Sequence, residues 1–441
     1  MHAVFIRGLA GWSMLVGLCA TPALAQHPAG SQPPVGSGLA RTTSPAPAAA
    51  TEACTEPALR CARSATPAFA PDGRLWLAWI AAGVVSVAVS DDGGQHFSAA
   101  QPLAAPDAMM DSGPDARAQI VATPDGTLVV VWATFKDRAW NARLQLSRST
   151  DGGAHFSAPV EPVTNPVSAR FPAMLPGAQG ELYLAWLDKR LVAAQRRDGR
   201  ATDGASLAWA RSTDAGAHFG EVRMASNASC ECCRIALALP PQDTPEALPV
   251  MVFRSIFPGS VRDHARVAFT SRAQTATPTP IADDRWVTSV CPHQGPALAI
   301  DAAGIEHVAW FTGGSNRQGL FYARSGEVDR PARPDARVSF IEPQPVGVAG
   351  EHAARPALIA IGNRVWLAWK ALVDGETVVK VKGSTDNGRQ WSEPQVVART
   401  RGYSDHPLLI ARGGQAALSW LTRREGYRLL DVEPRNPEQR P

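Results

Sequence analysis

Apolar runs recur at regular intervals along the chain, and loop-forming residues separate them. The runs Leu75 to Trp79 and Val365 to Trp369 are almost continuously apolar. Strands that are buried on both faces have such sequences, whereas a strand with one solvent-exposed face alternates polar and apolar positions. Each run ends a longer unit that begins at a Pro-Ala-like start and passes through a loop that often contains Asp-Gly. The units cover residues 67–79, 120–132, 172–186, 296–310, 356–369 and 407–420, with a looser copy at 234–253.

A second pattern, S-x-D-x-G-x-x-[FW], follows several of these units. Its aspartate can accept hydrogen bonds from the backbone of a tight turn, and its glycine can take a positive φ. The final aromatic ring is expected to fold back onto the sheet. Two hairpins per module make four strands, which is the unit of a propeller blade. The four copies lie at 90–97, 149–156, 212–219 and 384–391.

The repeated turn resembles the Asp-box repeat of the sialidase superfamily and its propeller relatives. The resemblance covers most of residues 64–432 and implies an all-β propeller of four-stranded blades. Seven blades are favoured, with the six of catalytic sialidases as the alternative. Because the last module has three visible strands, residues 51–62 could supply its outer strand and close the ring. The module starts lie near residues 64, 115, 168, 229, 291, 352 and 403.

The N-terminus predicts export to the periplasm or the medium. Arg7 precedes an apolar stretch that ends at Ala20, and an A-x-A site at 23–25 predicts a signal peptide over 1–25, cleaved near Ala25. Residues 26–50 are rich in Pro, Ala and Ser and are expected to be a disordered linker. The propeller is expected over 51–433 and a short tail over 434–441.

The charge pattern bears on which classes of partner the protein could bind. The chain has 43 Lys and Arg against 40 Asp and Glu, a net charge of +3, and no run of like charges. This balance gives no case for binding nucleic acid or an anionic membrane surface. No segment after the signal is long and apolar enough to span a bilayer.

The resemblance to sialidases implies four catalytic residues. Arg170 opens a segment similar to the family's R-I-P motif, and Tyr403 opens the last module, as the family's nucleophile does. Glu231 and Arg254 stand where the family places its glutamate and its second arginine. The motif, however, should open the first module rather than the third. No convincing third arginine lies between Arg355 and Tyr403.

Cysteines and histidines cluster at the starts of the later modules. Because the innermost strands of a propeller line its axis, these starts are expected to converge at one mouth of it. Thiolate and imidazole are ligands preferred by copper and zinc, so a soft-metal site is predicted there. In an extended strand Cys230 and Cys232 would share one face, opposite Glu231. The predicted ligands are Cys230, Cys232, Cys233, Cys291, His293, His352 and His406.

Disulfides and hydrogen-bonded histidines are the alternative to this metal site. Cys291 could bridge to one of the three cysteines of module four in an oxidising compartment. Cys54 and Cys61 are expected to form a separate local disulfide near the closure of the ring.

Three functions follow from these patterns. The leading hypothesis is an exported binding propeller whose Cys/His site takes a soft metal such as copper, or docks a metal-bearing exported protein. The second is an exo-sialidase-type glycosidase. The third is a non-catalytic scaffold or glycan-binding propeller.

Overall fold

A computed structural model describes most of the chain beyond the expected signal and linker. One compact unit, Ala53–Pro441, contains all of its described elements. The predicted signal peptide, linker and tail, together with Cys291, lie outside the described residues. These residues are 54, 56–107, 109–165, 167–199, 204–241, 248–269, 277–290, 292–326 and 338–432.

Seven antiparallel sheets follow one another along the chain. Blade 1 consists of β1 (Ala65–Phe69), β2 (Leu75–Ala81), β3 (Val84–Ser90) and β4 (Gln101–Pro102). Blade 2 consists of β5 (Met110–Asp111), β6 (Gln119–Ala122), β7 (Leu128–Phe135) and β8 (Ala142–Ser149). Blade 3 consists of β9 (Ala169–Pro176), β10 (Leu182–Asp188), β11 (Ala205–Ser212) and β12 (Arg223–Ser229), and the helix α1 (Arg190–Arg197) lies between β10 and β11.

The later blades repeat this order. Blade 4 consists of β13 (Ala236–Ala238), β14 (Val250–Arg254), β15 (His264–Ala268) and β16 (Thr279–Pro280). Blade 5 consists of β17 (Ala297–Ile300), β18 (Glu306–Gly313), β19 (Gln318–Arg324) and β20 (Gln344–Val346). Blade 6 consists of β21 (Ala354–Ile361), β22 (Arg364–Val373), β23 (Glu376–Ser384) and β24 (Gln395–Thr400), and blade 7 of β25 (Leu408–Arg412), β26 (Gln415–Thr422) and β27 (Gly426–Asp431).

The prediction of an all-β, seven-bladed propeller is confirmed. Among the described residues blade 7 has three strands, and Leu59–Cys61 forms a 3₁₀ turn instead of the outer strand that this segment could have supplied. A disulfide joins Cys54 to Cys61 across this turn, with their Cα atoms 5.4 Å apart. No helix among the described residues is long and apolar enough to cross a membrane.

The apolar runs pack between neighbouring blades, as continuous burial on both faces requires. One cluster joins Val129 and Val131 of blade 2 to Leu184 of blade 3. Another joins blades 6 and 7 through Trp366 and Trp420. Each such large side chain contributes about 1.5–3 kcal/mol on burial. The tryptophans with less than 2% exposure are Trp132, Trp186, Trp310, Trp366, Trp369 and Trp420.

The S-x-D-x-G turns share one hydrogen-bond arrangement. In the copy at 149–156, the Ser149 hydroxyl donates to Asp151 Oδ1 at 2.8 Å and accepts from the Gly153 amide at 2.8 Å. The same carboxylate accepts from the His155 amide at 3.0 Å. His155 is largely exposed and its ring pairs with Asp151. Among the described residues these turns stabilise the outer hairpins and belong to no group of possible metal ligands.

A buried ion pair closes the ring. Asp405, which precedes blade 7, accepts from the Ala65 amide of blade 1 at 3.1 Å and from Arg117 Nη2 of blade 2 at 2.8 Å. Arg117 Nη1 also donates to the Ala65 carbonyl at 3.2 Å. The side chains of Arg117 and Asp405 are 6% and 2% exposed. Removing one partner would leave the other charge buried and unpaired.

We therefore expect Arg117→Met to lower the free energy of unfolding by about 3–5 kcal/mol, the usual cost of breaking a buried pair. The urea midpoint followed by tryptophan fluorescence measures it. Arg285→Met is the matched control. The Arg285–Asp283 pair is about two-thirds exposed, so its loss should change the urea midpoint very little. Equal midpoints for the two variants would contradict a closing role for Arg117.

Candidate functional site

A cationic cavity lies where the innermost strands of several blades begin. Its volume is about 550 Å³. It gathers residues that are hundreds of positions apart in the chain, as convergence of blade starts on the axis requires. The lining residues are Arg63, Asp111, Ser112, Gly113, Pro114, Asp115, Ala116, Arg170, Phe171, His293, Arg355, Lys370, Thr377, Gly402, Tyr403, Ser404 and His406.

Two β-bulges shape the wall of this axial cavity. In blade 3, Phe171 and Pro172 together oppose Trp186 alone, and in blade 6 Arg355 and Pro356 oppose Trp369 alone. Phe171 has a φ of 53° and Arg355 a φ of 58°. Such left-handed backbone costs a non-glycine residue about 1–3 kcal/mol and is concentrated at functional sites. The bulges turn the Phe171 and Arg355 side chains toward the cavity.

Arg234 and Asp115 meet at the centre of the molecule. Arg234 Nη1 lies 3.5 Å from Asp115 Oδ1, and Nη2 donates to the Pro356 carbonyl at 2.8 Å. Arg355 Nη1 lies 3.5 Å from the other oxygen of Asp115. Arg234 thereby joins blade 4 to blades 2 and 6. The Arg234 side chain packs directly against Gly295, where a Cβ atom would lie 2.2 Å from Arg234 Cγ.

His406 is neutral in this setting. Burial, together with Arg234 and Arg355, holds the pKa of its imidazole well below the usual value. Arg234 Nη1 lies 3.3 Å from His406 Nδ1. Because an arginine can only donate, Nδ1 is the acceptor and Nε2 carries the proton. His406 therefore offers the cavity a neutral N–H donor.

Burial shifts the other titratable groups of the cavity as well. It raises the pKa of Asp405 in spite of Arg117, and it raises the pKa of the Tyr403 phenol. It lowers the pKa of Lys370 to about 8, with Asp405 acting in the opposite direction. Lys370 Nζ donates to the Ser404 carbonyl at 3.1 Å. Near neutral pH, Lys370 is thus a cation and Tyr403 a neutral phenol.

The four residues implied by the sialidase resemblance do not meet in one place. Arg170 and Tyr403 line the axial cavity. Arg170 Nε donates to Asp111 Oδ2 at 2.7 Å, and the Tyr403 hydroxyl donates to the Arg63 carbonyl at 3.2 Å. Glu231 instead pairs with Lys189 at 2.6 Å and is not among the lining residues.

Arg254 has a structural role. It is 1% exposed, and its guanidinium donates to the carbonyls of Arg262, Gln294 and Phe311 at 2.7, 3.0 and 3.1 Å. It also lies over the Trp286 ring at 4.3 Å. These contacts fix blade 4 against blade 5 and leave the guanidinium buried between the two blades.

Three cysteines form a separate buried cluster. Residues 230–233 make a turn after β12 rather than an extended strand, so the expected alternation of faces does not occur. The sulfurs of Cys230, Cys232 and Cys233 lie within 4.8 Å of one another, and each residue is at most 5% exposed. Arg262 Nη1 lies 3.4 Å from the Cys230 sulfur. The hydrogen bond with Cys230 raises the pKa of Cys233 to about 11.

The predicted histidine ligands lie apart from these thiols. His293 and His406 line the axial cavity, and His352 is exposed just before β21. Within the described residues, the group whose ligand atoms could share one ion contains the three cysteines and no histidine. The structure therefore divides the predicted Cys/His site into a buried thiol cluster and an axial cavity.

Several cavity residues were not singled out from the sequence. Arg355 occupies the same bulge position as Phe171, so alignment of the module starts could have found it. Asp115, Arg234, Lys370 and Arg63 lie in loops or on later strands without a repeated pattern. The contacts of Asp115 with Arg234 and of Arg63 with Tyr403 join residues 119 and 340 positions apart.

No family model matches the chain, and no curated protein matches it by sequence. Among solved structures it is similar to an ulvan lyase of polysaccharide lyase family PL25, with a TM-score of 0.52, 10% identity, and coverage of 82% of this chain and 90% of that one. It also matches a Hadza microbial sialidase, with a TM-score of 0.45, 14% identity and 84% of this chain covered, while spanning 66% of that chain, less than two thirds. An arabinanase from Penicillium chrysogenum gives a TM-score of 0.43, 13% identity, and coverage of 85% and 96%. The likeness to the ulvan lyase shows the fold alone, which is the β-propeller described above.

Proposed function

We propose that this chain is an exported propeller that binds an acidic saccharide in its axial cavity. The observation that carries the proposal is the excess of positive charge around that cavity. Six cationic side chains, Arg63, Arg117, Arg170, Arg234, Arg355 and Lys370, lie in or against it, and three carboxylates, Asp111, Asp115 and Asp405, face them.

An uncompensated buried cation is costly, so the excess favours an anionic occupant. Arg355 supports this view directly. Its Nη1 is buried, makes no hydrogen bond to the described residues and approaches Asp115 only to 3.5 Å. Because the Arg355 side chain lines the cavity, a carboxylate or sulfate beside it would add to the charge pairing that Asp115 provides only in part.

The neutral groups of the cavity suit a sugar. The Tyr403 phenol and the His406 imidazole can hydrogen-bond to hydroxyl groups without adding charge. The ulvan lyase of similar fold has been solved with the acidic saccharide -[GlcA(1-4)Rha3S]- bound. At 10% identity this likeness concerns the fold and assigns no roles to residues of this chain. The evidence for an acidic ligand is therefore the charge of the cavity itself.

The sialidase alternative shares this ligand class but not the catalytic set. Glu231 pairs with Lys189 while Tyr403 bonds to Arg63, so the described residues place no Glu231 carboxylate beside the phenol. Binding is therefore the function that we propose, and hydrolysis is not part of it.

We expect Arg170→Ala and Arg355→Ala each to weaken binding of a glucuronate oligosaccharide about 10- to 100-fold, since a hydrogen bond to a charged group is worth about 1.5–3 kcal/mol. Isothermal titration calorimetry measures the affinity, with a neutral maltooligosaccharide as the ligand control. Arg412→Ala, which removes an exposed surface arginine paired with Asp431, should leave the affinity unchanged. Equal binding of the acidic and neutral saccharides would reject the proposal.

Binding should also weaken as the pH rises through about 8. Burial lowers the pKa of Lys370 to about 8, so the free protein loses this cation above that pH. An anion stabilises the protonated form, which makes affinity highest below pH 8 and lower above it. Titrations from pH 7 to pH 9.5 measure this, and Lys370→Arg, which stays charged, should flatten the profile. A profile that is identical in both proteins would exclude Lys370.

A second candidate function is binding of a soft metal such as copper or zinc by the three cysteines. Three buried sulfurs within 4.8 Å of one another are the specific observation that favours it. Thiolates select Cu(I) and Zn²⁺, and the nearby Arg262 and Arg254 can balance thiolate charge. The cations around His406 would oppose a metal ion there, so this candidate includes none of the cavity histidines.

We expect the unmutated protein to bind one Cu(I) against a competing chelator, and Cys232→Ser to lose most of that affinity. Affinity should rise with pH, because the thiols must lose protons and Cys233 has a pKa of about 11. Cys291→Ser is the control variant. If it abolishes binding equally, or if a thiol count shows all four cysteines oxidised, the three-cysteine site is refuted.

A further inference from the structure

The hairpin between β7 and β8 carries the most exposed tryptophan of the described chain. Trp140 is 62% exposed, whereas every other described tryptophan is buried or half-buried. A large exposed aromatic ring loses the free energy that its burial would give and is a common sign of a binding surface.

The hairpin holds this ring in a defined position. Asp137 Oδ1 accepts from the amides of Ala139 and Asn141 at 2.9 and 3.1 Å, and Asn141 Nδ2 donates to Asp137 Oδ2 at 2.9 Å. Trp140 itself has a φ of 62°, a conformation that few large side chains adopt. The turn is therefore fixed by its own hydrogen bonds while the ring stays in solvent.

A continuous row of side chains connects Trp140 to the axial cavity. The Trp140 and Phe135 rings meet edge to face, with centroids 5.1 Å apart. The guanidinium of Arg170 lies 4.9 Å from the Phe135 ring and 4.8 Å from the Phe171 ring. Lys136 Nζ, at the base of the hairpin, bonds to the Asn165 carbonyl on the approach to blade 3 at 3.2 Å. Trp140 thus stands one ring beyond a cavity arginine.

We propose that Trp140 is a stacking platform for a sugar ring of the saccharide whose acidic group enters the axial cavity. The inference rests on the proposed function and adds the size of the ligand. A ligand that reaches Arg170 and also covers Trp140 must extend past the Phe135 ring between them. The occupant is therefore an acidic oligosaccharide, bound by its charge at the axis and by the apolar face of a further ring at Trp140.

The charge and the ring contribute differently to the two ends of such a ligand. Arg170 acts on any acidic saccharide, including the monosaccharide glucuronate. Trp140 acts only on ligands long enough to leave the cavity. Comparing the same acidic group with and without further sugar rings separates the two contributions.

The test measures affinities of glucuronate and of a glucuronate-containing oligosaccharide for the unmutated protein, Trp140→Ala and Trp140→Phe. We expect Trp140→Ala to weaken the oligosaccharide about 3- to 10-fold, the usual range for aromatic stacking, and to leave glucuronate unchanged. Trp140→Phe should recover most of the loss. Val160→Ala, an exposed apolar side chain beside β8 of the same blade, is the matched control.

Tryptophan fluorescence gives a second measurement, which would not change if Trp140 only stabilised the fold. Because Trp140 is the most exposed tryptophan among the described residues, acrylamide quenching should fall when the oligosaccharide binds and stay constant with glucuronate. Equal losses for both ligands in Trp140→Ala, or no loss for either, would overturn the platform while Arg170→Ala still reports on the cavity. Failure of the unmutated protein to bind either ligand would overturn the proposed function itself, and the platform with it.

Discussion

The contact between Arg234 and Asp115 on the axis is the interaction on which the cavity depends. Blades of a propeller pack mainly against their neighbours, so contacts between distant blades occur where the innermost strands begin. Arg234 lies at the start of blade 4 and reaches Asp115 between β5 and β6 of blade 2, Pro356 in blade 6 and His406 before blade 7. Without this guanidinium, the Asp115 carboxylate would keep only Arg355 at 3.5 Å and His406 at 3.7 Å.

The outer and inner parts of the molecule follow different physical rules. In the outer turns, hydrogen bonds satisfy the aspartates within a few residues, and apolar runs fill the space between blades. Around the axis, by contrast, cations outnumber carboxylates, and bulges at Phe171 and Arg355 interrupt the strand pairing. A sequence selected for stability alone would not keep excess charge beside interrupted pairing. Their coincidence at one cavity is the physical reason for placing function there.

The sequence could predict the fold because the fold is periodic. Apolar runs and repeated turns recur once per blade, so seven module starts give seven sheets. The same logic brings Arg170, Tyr403, His293 and His406 to one cavity. The module positions do not predict where Glu231 and Arg254 point. Glu231 lies in a turn and pairs with Lys189, and Arg254 donates to neighbouring carbonyl groups. Asp115 and Arg234 have no local pattern, because their partners lie more than a hundred residues away.

The two candidate sites share one short segment of backbone. The turn that brings Cys230, Cys232 and Cys233 together also positions Arg234, which follows Cys233 directly and reaches the axis. A metal ion that draws the three sulfurs closer would therefore act on the backbone that aims this guanidinium at Asp115 and His406. Any such effect on saccharide affinity must be reciprocal, because coupling between two binding sites is a single free energy. Because Cys233 and Arg234 are adjacent, the thiol cluster and the axial cavity depend on the same turn.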